Sequence, residues 1–322
     1  MQLVLHAQFD GRYILWCCIC SQRRQPPSVT MQTKVCLTLL IILIIQFNFN
    51  YLMKKIIHSV IFACGLFTAL TVCANDQSLQ AAISGKQRTD ANALRDPARH
   101  PYETLSFFGI RPNMTVVEIW PEGGWYTEIL APYLRDNGLL IAAENNPEST
   151  DPEERRAAQP LAAKFSRNPE IYGKVRMASF NPSGIYAPAG SVDMVLTFRN
   201  VHNWIDQFDE PTLKKIFANM YASLKPGGIL GLVEHRLPES SVQDAKASTG
   251  YVHESFVIKL AEDAGFKLAA QSEINANPKD NANHKGGVWA LPPRYANHDV
   301  DRALYTAIGE SDRMTLKFVK PQ

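Results

Sequence analysis

Two periods of hydrophobic residues alternate along the chain from about residue 101. Short runs rich in β-branched residues predict strands over 115–120, 139–143, 175–178, 192–198, 229–233, 266–274 and 314–319. Between them apolar residues recur every three or four positions and predict helices. One starts near Pro101 and stops at Gly109. A second, over 125–134, places Tyr126, Ile129, Leu130 and Tyr133 on one face. A third covers 152–166. A fourth, over 211–224, aligns Leu213, Ile216, Phe217, Met220 and Leu224 and is stopped by Lys225-Pro226-Gly227-Gly228. The fifth covers 252–264 and ends at Gly265. Strict alternation of strand and helix implies an α/β, doubly wound, mostly parallel seven-stranded sheet with helices on both faces. Residues 314–319 alternate like a last, antiparallel strand, which leaves 275–313 as a long insertion or lid before it. Ligands of such sheets sit beyond the carboxyl ends of the strands.

The chain before residue 75 has a different character. All six cysteines, Cys17, Cys18, Cys20, Cys36, Cys64 and Cys73, lie there, which excludes a cysteine-ligated metal or a cysteine nucleophile in the body. Six of the 33 Lys/Arg but only one of the 31 Asp/Glu precede residue 75, so the body carries 27 basic against 30 acidic residues. That balance offers no basic surplus for nucleic acid, and none is expected as a partner. Met53-Lys54-Lys55, the apolar stretch over 56–72 and Val72-Cys73-Ala74 have the layout of a signal peptide over 53–74. The expectation is therefore a periplasmic protein whose domain is 75–322, with no stable membrane span in it. Lipid attachment at Cys73 is the less favoured reading, because Val72 is bulky for the position before a lipidated cysteine. Residues 1–52 are expected to be upstream sequence outside the native protein, with Met53 as the true start. A hairpin or long anchor built from 36–47 and 56–72 is the alternative.

Two runs carry candidate chemistry at strand ends. Arg199-Asn200-Val201-His202-Asn203-Trp204 follows the fourth strand, and Glu234-His235-Arg236 follows the fifth. His202 can take a proton near neutral pH, and Asn203 offers both a donor and an acceptor. His202, Asn203, Glu234 and His235 are the candidate catalytic residues. Two histidines and a carboxylate could also bind a metal, but the long separation between the histidines gives no ligand spacing, and no metal is expected. In the insertion, Asn275, Asn277, Asp280, His284, Trp289 and Glu310 to Arg313 add polar groups and one aromatic ring, either as part of the site or as a solvated loop.

The order of elements over about 101–319 resembles the class I S-adenosylmethionine-dependent methyltransferases. The marks are Val116-Val117-Glu118-Ile119 before a glycine turn, Glu144 after the second strand, Ser191 to Val195 for the fourth, and Leu224-Lys225-Pro226-Gly227-Gly228 before the fifth. The chain also resembles a bacterial family of exported methyltransferases assigned from sequence, through Trp120 to Trp125, Phe198 to Trp204 and Asn277 to Asp280. The resemblance implies a Rossmann-like methyltransferase fold, S-adenosylmethionine as cofactor and a small-molecule acceptor. It assigns the cofactor to Glu118, Trp120, Glu122, Gly123, Gly124, Glu144, Asn145, Phe180, Thr197 and Arg199. Glu144 would hold the ribose hydroxyls, and Glu118, Gly124, Glu144, His202 and Glu234 would surround one cavity. One departure matters. Trp120 and Glu122 stand where the superfamily has its first two loop glycines, so the cofactor pocket is altered. A binding or repurposed protein without methyl transfer is the alternative function. Export favours it, since the methyl donor is a cytoplasmic metabolite.

Overall fold

The computed structural model describes residues 76–322 other than Ser183, together with two short strands near the N-terminus. The chain divides into two compact units, 1–75 and 76–322. In the first unit β1 (His6–Phe9) and β2 (Arg12–Leu15) pair antiparallel. The expected signal segment over 53–74, Cys73 and the start at Met53 lie outside the described residues.

The second unit opens with four short helices, α1 (Gln77–Ile83), α2 (Asp90–Ala93), α3 (Asp96–Arg99) and α4 (Pro101–Phe108). Next come β3 (Thr115–Ile119), α5 (Thr127–Leu134), β4 (Leu139–Glu144), α6 (Pro152–Arg167), α7 (Pro169–Tyr172) and β5 (Arg176–Ser179). The second half runs β6 (Val192–Phe198), α8 (Val201–Gln207), α9 (Glu210–Ser223), β7 (Leu224–Leu237), β8 (Val252–His253), α10 (Glu254–Asp263) and β9 (Lys267–Ser272). A 3-10 turn at Gly287–Ala290, α11 (Arg302–Ile308) and β10 (Arg313–Val319) complete it.

Seven strands form the main sheet in the order β5-β4-β3-β6-β7-β10-β9, and β8 pairs the far end of β7. The pairs β5–β4, β4–β3, β3–β6 and β6–β7 are parallel, whereas β10 runs antiparallel to both β7 and β9. Strand order reverses between β3 and β6, so their carboxyl ends open a crevice there. Alternate residues of the central strands enter opposite cores. Val117, Ile119 and Val195 pack with Trp204, Phe217 and Leu230 on one face. Val116, Met194 and Leu196 pack with Leu105, Phe108, Ile129 and Leu130 on the other. Burial on both faces explains why the strands read as continuous apolar runs.

The structure differs from the expected elements at three places that bear on the site. The strand expected over 229–233 runs from Leu224 to Leu237, and Lys225 to Gly228 form a bulge opposite Asp193 rather than a simple stop. The run after β6 is helical from Val201, because Val201, Trp204 and Ile205 bury one stripe. The 275–313 insertion is tied down by side chains. Asn275 donates to Thr104 and Thr315, and Asn277 donates to the carbonyls of Ile308 and Glu310. Asp280 accepts from Tyr251, from the amides of Ala282 and Asp312, and lies 2.7 Å from His284 Nε2.

Candidate functional site

The β3 loop keeps the backbone path of a glycine turn without its first two glycines. Trp120 and Glu122 have φ of 50°, and Gly124 has φ of 72°. A left-handed conformation costs a non-glycine residue roughly 1–2 kcal/mol, so two side chains are held at strain where glycine would relax. Across the crevice Arg199, after β6, is left-handed as well, at φ 60°. Such outliers gather at ligand sites when the surroundings over-determine them. Asn200 locks this arrangement. Its buried amide donates to the carbonyls of Ile119 and Trp120 and to Thr197 Oγ1, at 2.9, 3.3 and 3.1 Å.

Two buried acids flank the loop. Glu118 accepts a 2.6 Å hydrogen bond from Thr127, and burial raises its carboxyl to about 7. Glu144 accepts from the amides of Glu122 and Asn145 at 2.7 and 2.8 Å, and burial raises it to about 7 despite those bonds. Trp120 lines the loop's cavity and stacks on Phe180 at 5.1 Å, and Phe180 stacks in turn on Tyr186 and Trp204. The space left beside Glu118, Trp120, Glu122, Tyr126 and Arg199 is about 20 Å³, which is room for about one water. Gly123 has open space beside it, whereas a Cβ on Gly124 would meet Leu161 at 3.0 Å.

The ends of β6 and β7 bring the catalytic candidates together. His202 Nδ1 lies 3.0 Å from Glu234 Oε1, and the His202 amide donates to Glu234 Oε2 at 3.2 Å. The His235 amide donates to the same carboxylate at 2.7 Å, and His235 Nδ1 lies 2.5 Å from Ser311 Oγ. One ligand atom from each of His202, Glu234 and His235 falls within 4.8 Å of the others. Burial, then the neighbouring His202 and the charges of Arg199, Arg313 and Arg99, hold His235 well below its ordinary value, so the ring is neutral at pH 7. Asn203 stands apart, with a single 3.5 Å contact to the Arg199 carbonyl.

A second cavity, of about 210 Å³, opens beside His235 between the N-terminal helices and the insertion. Arg95, Arg99, Arg199 and Arg294 line it, with Trp289 and Glu310. Glu310 accepts from Arg95 Nε at 2.6 Å and lies 3.4 Å from Arg99 Nε and 3.2 Å from Arg313 Nη1. Burial opposes ionisation of Glu310, but the Arg95 hydrogen bond and the three guanidinium charges outweigh it and hold the carboxyl at about 2.

No family model matches the chain, and no curated protein matches it. Solved structures do. The [4+2]-cyclase SpnF superposes with a TM-score of 0.50 at 14% identity, covering 74% of this chain and 85% of that one. The fold is the Rossmann-like methyltransferase fold. A SAM-dependent methyltransferase from Aquifex aeolicus gives 0.48 at 16% identity over 73% of this chain and 95% of its own. A geranyl diphosphate C-methyltransferase from Streptomyces coelicolor A3(2), solved with Mg²⁺, geranyl diphosphate and S-adenosylhomocysteine, gives 0.49 at 13% identity over 74% and 87%.

Within this fold the expected residues fall into two groups rather than around one cavity. Glu118, Trp120, Glu122, Gly124 and Glu144, with Asn145, Phe180 and Thr197, surround the glycine-turn side. His202, Glu234 and His235 stand at the other side, and Arg199 lines both cavities. The Tyr126 ring, stacked on Phe198 at 3.6 Å, fills space beside Arg199. Sequence reasoning passed over Asn200 as a site residue, although it sits in the quoted run. It also passed over Arg95 and Arg99, whose short helices have no strong periodic signal.

Proposed function

We propose that the protein is an S-adenosylmethionine-dependent methyltransferase acting on a small-molecule acceptor, and that it works after export from the cytoplasm. The observation that carries the methyltransferase reading is the retained left-handed path at Trp120, Glu122 and Gly124 beside Glu144. A backbone held in that path without glycines is explained by a ligand that needs it. The residues fit the cofactor in backbone path and in donor set. Glu144 would hold the ribose hydroxyls, Glu118 and the Glu122–Gly124 turn the methionine end, and Asn145 and Phe180 the base. The ring of Trp120 must leave Phe180 to make room. The cofactor supplies an electrophilic methyl group, and the chain supplies orientation and a proton acceptor. His202 serves as that acceptor, its Nδ1 3.0 Å from the Glu234 carboxylate that can offset the charge it gains, while neutral His235 lines the larger cavity.

One observation favours a second reading, a repurposed fold without methyl transfer. The glycine-turn cavity is about 20 Å³, with Trp120 stacked over Phe180. Calorimetry with S-adenosylhomocysteine separates the two. The methyltransferase reading expects saturable one-to-one binding to the natural chain and at least equal affinity in Trp120→Gly, which relieves strain and frees space. Binding by Trp120→Gly alone would mean that the natural pocket is blocked and would overturn the reading.

A further inference from the structure

The larger cavity is surrounded by more positive charge than the protein neutralises. Four arginines line it, and Glu310 is the one carboxylate among the lining residues. That carboxylate is already shared by Arg95, Arg99 and the buried Arg313 beneath. Arg313 also donates to the Ala98 carbonyl. Arg199 and Arg294 have no carboxylate partner among the described residues. The Arg99 side chain is 2% exposed, and its Nη1 has no hydrogen-bond partner. A buried charged donor left unsatisfied is costly, and native proteins rarely keep one without a reason. Arg99 is braced rather than loose, since its guanidinium lies 4.7 Å from the centre of the Trp125 ring. Mutual repulsion among Arg99, Arg199, Arg95 and Arg313 is therefore built into a fixed frame.

Such a frame discriminates by sign. The same guanidinium groups oppose a cation on the neighbouring His202, Glu234 and His235, even though their ligand atoms converge. They favour an anion, because planar guanidinium donors match the geometry of carboxylate and phosphate. Opposite the charges, Val288, Trp289 and Leu291 give the cavity an apolar wall. Its volume of about 210 Å³ exceeds the ~150 Å³ that accommodates benzene in an engineered cavity.

We infer that this cavity binds the carboxylate or phosphate group of a small molecule of about the size of one substituted ring, the anionic group on Arg99 and Arg199 and the apolar body against Trp289. That this molecule is the methyl acceptor rests on the function proposed above; that the cavity takes an anion does not. The place is apt for an acceptor, since Arg199 lines this cavity and also borders the glycine-turn side.

Calorimetry on the full chain with benzoate, phenyl phosphate and neutral benzamide tests the inference. At least one anion should saturate a single site, and benzamide should show no binding at tenfold higher concentration. The tighter of the two anions identifies the headgroup. Arg199→Gln should weaken that anion at least tenfold. Arg294→Gln, at an exposed position that can be changed without disturbing the core, should weaken it severalfold. Equal binding of benzamide and benzoate, no binding of either anion, or unchanged anion affinity in both variants would overturn the inference. S-adenosylhomocysteine titrated into the same protein keeps the two proposals apart. Anion binding without nucleoside binding leaves the inference standing and removes the methyltransferase reading, and the reverse result removes only the inference.

Discussion

The two sides of the crevice solve the problem of buried charge in opposite ways. At the ends of β3 and β4 the buried groups are acids, Glu118 and Glu144, and both are raised to about 7. Around the larger cavity the crowded groups are arginines, with Arg99 and Arg313 buried, and the carboxylate that they and Arg95 share, Glu310, is held at about 2. The first side leaves about 20 Å³ and the second about 210 Å³. Proton uptake can neutralise the acids from within. Arginine cannot deprotonate at any ordinary pH, so the second side relies on a counter-ion. The difference explains why the acidic side can close around itself while the basic side stands open.

The sharpest way to break this contrast is Glu310→Ala. It strips the shared carboxylate from Arg95, Arg99 and Arg313 and leaves buried guanidinium charge uncompensated. A loss of about 3–5 kcal/mol is expected, read by urea denaturation, with partial recovery on adding phenyl phosphate. A loss below about 1 kcal/mol would show that the arginines are not mutually strained.

The pH dependence should also carry opposite signs on the two sides. The carboxyls of Glu118 and Glu144 titrate near 7 when folded against 4.5 ordinarily. Between those values the folded chain holds protons that the unfolded chain has lost. Their contribution to stability is thus full below about pH 4.5 and is lost as pH rises through 7, by up to about 3 kcal/mol per group. Glu310 does the reverse, stabilising above about pH 4.5 and losing that contribution as pH falls toward 2. Denaturation at several pH values on Glu118→Gln and Glu144→Gln should show the decline between pH 4.5 and 7 flattened, with the acid limb unchanged. An unaltered decline would mean that these carboxyls titrate normally.

The smallest effects concern one short run. Asn200→Ala removes the amide that ties the end of β6 to the carbonyls of Ile119 and Trp120 and should cost about 1–3 kcal/mol. Asn203→Ala, three positions on, loses only a 3.5 Å contact and should stay within about 0.5 kcal/mol. Thermal melts of both variants check the contrast, and equal shifts would contradict the weaker structural tie of Asn203.

That run also shows how much could be read before the structure. Strand and helix periods were enough for the sheet, because burial on both faces writes long apolar runs into β3, β4 and β6. The antiparallel β10 was legible for a different reason, the period-2 alternation of apolar residues over 314–319. Glu144 and the glycine turn entered through the family resemblance, and the structure sets them side by side, the Glu122 amide donating to Glu144. The helical start at Val201 was missed, since a seven-residue helix gives barely two turns of periodicity. The arginine frame was invisible for a different reason. Arg199 and Arg313 are far in sequence from the pair Arg95 and Arg99 and meet it only when the insertion docks on the N-terminal helices, and an arginine on a short helix ordinarily reads as solvated surface.

The central claim is that the two cavities form one site with two compartments sharing Arg199, one for a nucleoside cofactor and one for an anion. A ternary titration addresses it most directly. S-adenosylhomocysteine is titrated into the full chain by calorimetry, first alone and then with the tighter of benzoate and phenyl phosphate at saturation. The account predicts one-to-one binding of the nucleoside in both titrations, with an affinity that shifts through Arg199 but a stoichiometry that does not. Loss of nucleoside binding in the presence of the anion, restored by dilution of the anion, would mean that both ligands compete for one cavity and would contradict the account.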